Sequence, residues 1–179
     1  AHMGMDTNDT HICILPLFHI AGLSLSMAVM HAGGKNVIVE RFDPELTLQL
    51  IEREKGTTFF NFAPILKMLL DKYDQGNYDL SSLRYISGLD TPETIKRFSQ
   101  TCPHVQYRTG FAQTEAMAVT SGPLMDRPGS AGQPMVFSRI ALFDDYDNEV
   151  PTGSVGEICV KSPTVFLGYW GREEETAQT

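Results

Sequence analysis

The sequence predicts an α/β fold: a largely parallel, doubly wound sheet flanked by helices, followed by the start of a small antiparallel β subdomain. Three observations predict it. Five short runs rich in β-branched and aromatic residues alternate with four longer runs of helical spacing between residues 11 and 108. The connections between them are short, which suits βα units and a parallel sheet. From Gly129 onward the helical spacing disappears and only strand-like runs and turn residues remain.

Each element has a local reason. Residues 11–15 are apolar and isoleucine-rich, a strand. Residues 20–30 have helical spacing, and Gly33-Gly34 stops them. Residues 36–40 read as a buried strand. Asp43-Pro44-Glu45 is a helix start, with a capping side chain, a proline in the first turn and an acid beside it. Leu46, Leu50 and Ile51 give the expected apolar stripe of that helix, and Gly56 its end. Residues 57–61 form a third strand. Pro64 opens a helix with Ile65, Met68, Leu69 and Tyr73 expected inward. Residues 83–87 are a fourth strand. Thr91-Pro92-Glu93 repeats the helix start, with Ile95 and Phe98 toward the sheet. Residues 105–108 are the fifth strand. Beyond Gly129, residues 138–143 and 155–161 are strands around the turn-rich Asp144-Asp145-Tyr146-Asp147-Asn148 and Pro151-Thr152-Gly153.

The texture shift between Gly122-Pro123 and Gly129 sets the expected division: an α/β subdomain over 5–125 and a truncated β-rich subdomain over 126–179. Residues 1–4, Ala-His-Met-Gly, read as a cloning scar. The chain is therefore expected to be a piece of a longer protein, and the polar, helix-like run over 173–179 agrees with that.

Bulk properties narrow the function. A hydrophobic content of 42% over 179 residues supports a packed core. The net charge of −8 argues against a nucleic-acid surface, though a local site can still take a nucleotide through backbone N–H groups and a metal. Cys13, Cys102 and Cys159 have no C-x-x-C spacing, so they read as reduced thiols of a cytoplasmic protein. Cys102 and Cys159 are expected to be buried as small hydrophobes. The longest apolar stretch, residues 12–30, is interrupted by Pro16, His19, Gly22, Ser24 and Ser26, so no transmembrane segment is expected.

In doubly wound sheets ligands bind beyond the carboxyl ends of the strands. Four segments follow strands here: 16–19, 61–64, 87–90 and 109–115. In the last, Thr109-Gly110-Phe111-Ala112-Gln113-Thr114-Glu115, the Thr114 hydroxyl can bind a phosphate oxygen and the Glu115 carboxylate can hold Mg²⁺. The other reading is a helix start with an acid in its first turn. His19 reads equally as a helix cap or as a site residue. Gly88-Leu89-Asp90 reads as a strand-to-helix turn near a cap, or as a ligand-facing loop. Asn61, Phe62 and Met117 read as core, and as walls of an apolar pocket.

Three of these segments stand in a telling order: Pro16-Leu17-Phe18-His19-Ile20-Ala21-Gly22, then Gly110-Phe111-Ala112-Gln113-Thr114-Glu115, then Gly129-Ser130-Ala131-Gly132-Gln133-Pro134. They resemble the P-L-F-H-x-x-G, Y-G-x-T-E and G-x-x-G-x-P segments of the adenylate-forming superfamily of acyl-CoA synthetases, 4-coumarate-type CoA ligases and luciferases. Gly156-Glu157-Ile158 and Gly168-Tyr169 resemble that family's later G-E-[IL] strand and G-Y-x turn. Phe111 stands where the family has tyrosine and Ala112 where it has a second glycine. A phenyl ring still offers a face to adenine, without the hydroxyl.

The resemblance implies an AMP-forming acid–CoA ligase that uses ATP, CoA and Mg²⁺ as partners of a small carboxylic acid. It implies catalytic roles for Thr114, Glu115 and His19, and Mg²⁺ on Glu115. It implies a nucleotide site of Gly88, Leu89, Asp90, Gly110, Phe111, Ala112, Gln113 and Thr114. It implies an acyl pocket of His19, Asn61, Phe62, Gly88, Gly110 and Met117. The family's S-G-T-T-G-x-P-K-G phosphate loop, its Y-x-T-G-D segment and its C-terminal lysine domain have no counterpart here, so this chain alone is expected to be inactive. Truncation would bare surfaces through which it could associate. Two alternatives stay open: a non-catalytic doubly wound binding module, and an amino-acid adenylating domain. The second typically carries F-D-x-S where this chain has Leu17-Phe18-His19-Ile20, with no acid to hold an ammonium group.

Overall fold

The computed structural model describes residues 4–117, 119–123 and 129–179. The chain divides into two compact units, Ala1–Thr109 with Pro123–Ser130, and Gly110–Gly122 with Ala131–Thr179. The expected boundary near residue 125 and most of the cloning scar lie outside the described residues.

The first unit runs β1 (Thr10–Cys13), α1 (Ile20–His31), β2 (Lys35–Ile38), α2 (Pro44–Glu54), β3 (Phe60–Phe62), α3 (Ile65–Tyr73), β4 (Tyr85–Leu89), α4 (Pro92–Thr101) and β5 (Gln106–Thr109). β1 pairs with β2, β3 with β4 and β4 with β5, all parallel. The run into β3 joins β1: the Ile12 N–H donates to Thr58 O at 2.9 Å and the Thr57 N–H to Thr10 O at 2.8 Å. The strand sequence is therefore β2-β1-β3-β4-β5. Its direction reverses between β1 and β3, the switch point where such sheets open a ligand crevice. Right-handed crossovers place α1 on one face and α2, α3 and α4 on the other. Accordingly α2 packs on α3 and α3 on α4, while α1 touches β1, β2 and β3. Leu48, Ile51, Phe59, Leu66, Leu83, Ile86 and Phe98 fill the core and are nearly free of solvent.

Local chemistry starts the helices as expected. Asp43 Oδ1 accepts the Leu46 N–H at 2.8 Å and Thr91 Oγ1 the Thr94 N–H at 3.3 Å, each with proline in the first turn. Packing keeps most of the expected inward residues, Leu50, Ile51, Ile65, Leu69 and Tyr73, and leaves two of them out. In α2 the buried residues are Thr47, Leu48, Leu50 and Ile51, and Leu46 is exposed. In α3 Leu66, Leu69 and Leu70 are buried and Met68 is exposed. Each buried stripe is widened toward the neighbouring helix, taking in Leu48 on α2 and Leu66 and Leu70 on α3. The left-handed cap of α2 falls on Lys55, φ 52°, ahead of Gly56. Cys102 is buried, but Cys159 is exposed on a strand whose ribbon has little packed over it.

The second unit holds the antiparallel pair β6 (Thr120–Pro123) and β7 (Gln133–Pro134), then the antiparallel ribbon β8 (Arg139–Phe143) and β9 (Glu157–Lys161), and α5 (Glu173–Ala177). The ribbon was legible in the sequence. The β6–β7 pair was not, since a two-residue strand carries no periodicity.

One buried histidine gives the first unit a pH dependence. The His11 ring is 1% exposed, and its Nδ1 lies 2.9 Å from Asn36 Oδ1. Burial lowers its pKa from 6.5 to about 4, against a smaller opposing effect of the Asn36 bond. Above pH 6.5 both folded and unfolded rings are neutral and the contribution is fully present. As pH falls toward 4 the unfolded ring takes up a proton that the folded ring refuses. Stability then falls by about 1.4 kcal/mol per pH unit, up to about 3 kcal/mol in all. Urea unfolding at pH 7 and pH 5 should show this loss. In His11→Gln, which keeps an N–H for Asn36 and does not titrate, it should shrink accordingly.

Candidate active site

The first candidate group sits at the switch point of the first unit. The chain leaves β1 and turns at Pro16, where the His19 N–H donates to Pro16 O at 3.1 Å. His19 then caps α1: its Nδ1 accepts the Ala21 N–H at 3.1 Å. The ring is exposed and meets Phe62 of β3 edge-on, with centroids 6.2 Å apart. Capping engages Nδ1 alone, so the cap and site readings of His19 are compatible. The spacing to Gly22 has a steric cause. A Cβ there would lie 2.3 Å from Pro16 O and 2.7 Å from Leu15 O. The Pro16 turn rests directly on α1, and the motif's glycine makes room for it.

Next along the sheet, Asn61 and Gly88 are register partners on β3 and β4. Gly88 and Leu89 continue β4, and the turn into α4 is confined to Asp90 and Thr91. The expected turn at Gly88-Leu89-Asp90 is thus corrected, because pairing with Asn61 and Phe62 carries the strand to Leu89. A Cβ on Gly88 would stand 2.3 Å from Asn61 O. Asn61 donates through Nδ2 to Ser87 O at 3.1 Å. Asp90 Oδ1 accepts the Thr91 N–H at 2.8 Å. Tyr107 of β5 is fully buried, and that burial, reinforced by the nearby Asp90 charge, pushes its hydroxyl far above the ordinary phenol range. The Asn61 side chain and the Tyr107 hydroxyl face each other there, and Asp90 Oδ2 is buried without a hydrogen-bond partner among the described residues, which marks these strand ends as polar ground inside an apolar layer.

The second candidate group lies in the second unit. Residues 113–116 form a tight turn closed by reciprocal bonds, Gln113 N–H to Ala116 O and Ala116 N–H to Gln113 O, both 3.2 Å. Among the described residues no helix follows the turn before β6, so Glu115 does not read as a helix-start acid. Ala112, Gln113 and Thr114 are exposed, and Phe111 and Glu115 are half-buried. The loop is pinned on both flanks. The Phe111 N–H donates to Thr120 Oγ1 at 2.8 Å, and Thr120 Oγ1 donates to Ala131 O within the third motif. On the other flank, the Phe166 N–H donates to Glu115 O at 2.8 Å and Thr164 Oγ1 to Met117 O at 2.6 Å. Met117 is half-buried.

Among the described residues the Glu115 carboxylate has one side-chain partner: Tyr169 donates its hydroxyl to Oε1 at 2.6 Å. This bond holds the Glu115 carboxyl below its ordinary pKa and raises that of the Tyr169 phenol. Glu115 is therefore an anion, and its own backbone N–H adds to the effect of the Tyr169 hydroxyl. Among the described residues no group of three or more His, Cys, Asp or Glu could cage a metal by itself. A single ionised carboxylate beside an exposed hydroxyl does fit Mg²⁺ that arrives on nucleotide phosphates, since that ion keeps most of its water and phosphate ligands. Tyr169 was missed as a partner of Glu115. Its signal was the Gly168-Tyr169 turn, singled out in sequence without a role.

Comparison with known proteins shows the family and the fold. The family model described as AMP-binding enzyme matches residues 1–170. A medium/long-chain-fatty-acid–CoA ligase, FadD8 of Mycobacterium tuberculosis, is 34% identical over 96% of this chain and 31% of its own length. The solved structure of a Rhodopseudomonas palustris protein, assigned as a long-chain-fatty-acid CoA ligase, superposes with a TM-score of 0.90 at 42% identity, over 97% of this chain and 44% of that one. O-succinylbenzoate coenzyme A synthetase of Bacillus subtilis, solved in complex with AMP, superposes with a TM-score of 0.83 at 26% identity, over 99% of this chain and 37% of that one. The chain thus spans about a third of the length of the curated relatives it matches. With a family model that matches 170 of its 179 residues, the chain belongs to the AMP-binding enzyme family.

Proposed function

We propose that the full-length protein is an AMP-forming acid–CoA ligase. In the first half-reaction a carboxylate oxygen attacks the α-phosphorus of ATP, the bond to the bridging oxygen breaks, and acyl-AMP and pyrophosphate result. In the second, the CoA sulfur attacks the acyl carbon, its proton is lost, and AMP leaves. The observation that carries this reading is the ionised Glu115 carboxylate on an exposed Thr-Glu turn, in a chain of the AMP-binding family.

Bound Mg²⁺ would be held by Glu115 and would supply neutralisation of phosphate charge. Thr114 donates its hydroxyl to a phosphate oxygen. In the second unit Phe111 offers its ring face to adenine and Gly110, Ala112 and Gln113 offer their backbone; in the first unit Gly88, Leu89 and Asp90 are assigned to the same nucleotide. His19, with Nδ1 engaged in the cap, is assigned to the acyl group with Asn61 and Phe62 of the first unit, and Met117 of the second unit is assigned to the same group. The substrate is a carboxylic acid without an α-amine, because the 17–20 segment holds no acid to pair with an ammonium group. The proposed compartment is the cytoplasm; no helix among the described residues is long and apolar enough to cross a membrane.

The test is product analysis with the full-length protein, ATP, Mg²⁺, CoA and mixed fatty, aryl and amino acids. Acyl-CoA and AMP from fatty or aryl acids support the reading. Aminoacyl products alone would favour an amino-acid adenylating domain, and no product with any acid would leave a binding module.

A further inference from the structure

The segment 164–170 lies as a strap along the Thr-Glu turn. Val165 and Ala116 form an antiparallel bridge, and the Phe166 N–H and Thr164 Oγ1 bond the carbonyls of Glu115 and Met117. These contacts are to backbone and would hold any residue at position 115. One contact is to the carboxylate itself. The Tyr169 hydroxyl donates to Glu115 Oε1 at 2.6 Å, a charge-assisted bond of full strength.

Tyr169 is set for this in advance. Its N–H donates to Thr176 Oγ1 at 2.9 Å, and its ring packs edge-on against Phe166 with centroids 4.8 Å apart. The ring is thus fixed from its backbone and from one side, and the hydroxyl reaches across 54 residues of sequence to a carboxylate on another loop. A carboxylate on a loop would otherwise rotate freely about its last torsion, whose barrier is low. Tied at Oε1, it presents Oε2 in one direction. Metal-binding carboxylates are oriented in this way by a hydrogen bond from outside the ligand set.

We infer that Tyr169 is a positioning residue for the site: it fixes the Glu115 carboxylate so that its free oxygen meets the cation carried by the nucleotide. The inference rests on the proposed role of Glu115 and adds to it a second residue, from a part of the chain to which only structure could connect it. Tyr169 touches neither the substrate nor the cation. It acts through Glu115, so its loss should weaken cation binding more than it weakens folding or acid binding.

The experiment is Mn²⁺ binding by electron paramagnetic resonance, with the full-length protein and α,β-methylene-ATP, comparing wild type, Glu115→Gln, Tyr169→Phe and Thr164→Val. Tyr169→Phe keeps the ring and removes only the donor. Thr164→Val loosens the strap and keeps the donor. Expected are loss of the bound-Mn²⁺ signal in Glu115→Gln, a weakening of roughly 10- to 100-fold in Tyr169→Phe, and a much smaller change in Thr164→Val. In turnover, Tyr169→Phe should raise the Mg²⁺ concentration for half-maximal rate and leave KM for the carboxylic acid unchanged. If Tyr169→Phe binds Mn²⁺ like wild type while Glu115→Gln does not, the inference falls and the role of Glu115 stands. If Thr164→Val matches Tyr169→Phe, the strap acts only as structure and the inference falls. If Glu115→Gln binds like wild type, the role of Glu115 falls and the inference with it.

Discussion

Replacing Glu115 by glutamine in the full-length protein is expected to slow acyl-AMP formation by on the order of 10²-fold or more, the size of effect seen when one preorganised electrostatic stabiliser is removed. The argument is one of charge. Glutamine keeps the shape of the side chain and can still accept from the Tyr169 hydroxyl, which now reaches Oε1 at 2.6 Å. It cannot balance a cation against the phosphates. The fold should be indifferent. Glu115 sits on a turn held by backbone bonds, and the neighbouring Phe166 N–H bonds its carbonyl, not its carboxylate. A melting temperature within about 2 °C of wild type is expected for a substitution at such a site. Stopped assays for pyrophosphate, alongside thermal melts, check both halves. A variant that unfolds yet keeps a normal rate per folded molecule would make Glu115 a structural acid.

The second large effect is expected at the opposite, amino end of the sheet. Asp9 is 1% exposed. It accepts Thr57 Oγ1 at 2.7 Å, Arg84 Nη1 at 3.1 Å and the Asp6 N–H at 3.0 Å. These three contacts stitch the entries of β1, of the run into β3, and of β4. Asp9→Ala leaves Thr57 without its buried carboxylate acceptor and Arg84 with only the longer contact to Asp6, at 3.7 Å. Breaking a fully buried pair costs about 3–5 kcal/mol. Because the Arg84 side chain is 45% exposed and can turn to water, the expected loss is about 3 kcal/mol, at the low end. The i,i+4 pair Lys67–Asp71 on α3 is the contrast: both partners are well exposed, and Lys67→Ala should cost about 0.5 kcal/mol or less. Urea unfolding of the two variants at pH 7 should separate them clearly.

What was legible in the sequence was what neighbours in the chain decide. The helix starts at Asp43-Pro44 and Thr91-Pro92 are set by a side chain and an N–H three residues apart, so local order alone reveals them. The Pro16 to Gly22 motif is equally local: a turn, a cap and a glycine pressed against that turn. The parallel sheet followed from the alternation of periods. Other features depend on partners far along the chain. Leu46 and Met68 satisfied a helical stripe and still face water, because which stripe is buried depends on where α2, α3 and the sheet meet. The half-buried Asp9–Arg84 pair spans 75 positions, and the Tyr169–Glu115 bond spans 54. Neither leaves a pattern in a window of sequence. For the candidate site, residue types and order were readable. The loss of the helix-start reading for Glu115 came only from seeing that, among the described residues, no helix follows the turn before β6.

The central claim is that the full-length protein makes an acyl-adenylate, and carboxylate-dependent exchange of labelled pyrophosphate into ATP tests it most directly. The reverse of the first half-reaction produces exchange with the acid and Mg²⁺ alone, before CoA is added. The account predicts exchange that requires a carboxylic acid, needs no CoA, and falls by on the order of 10²-fold in Glu115→Gln. Exchange that proceeds without any acid, or ATP cleavage that yields ADP and phosphate in place of AMP and pyrophosphate, would contradict it.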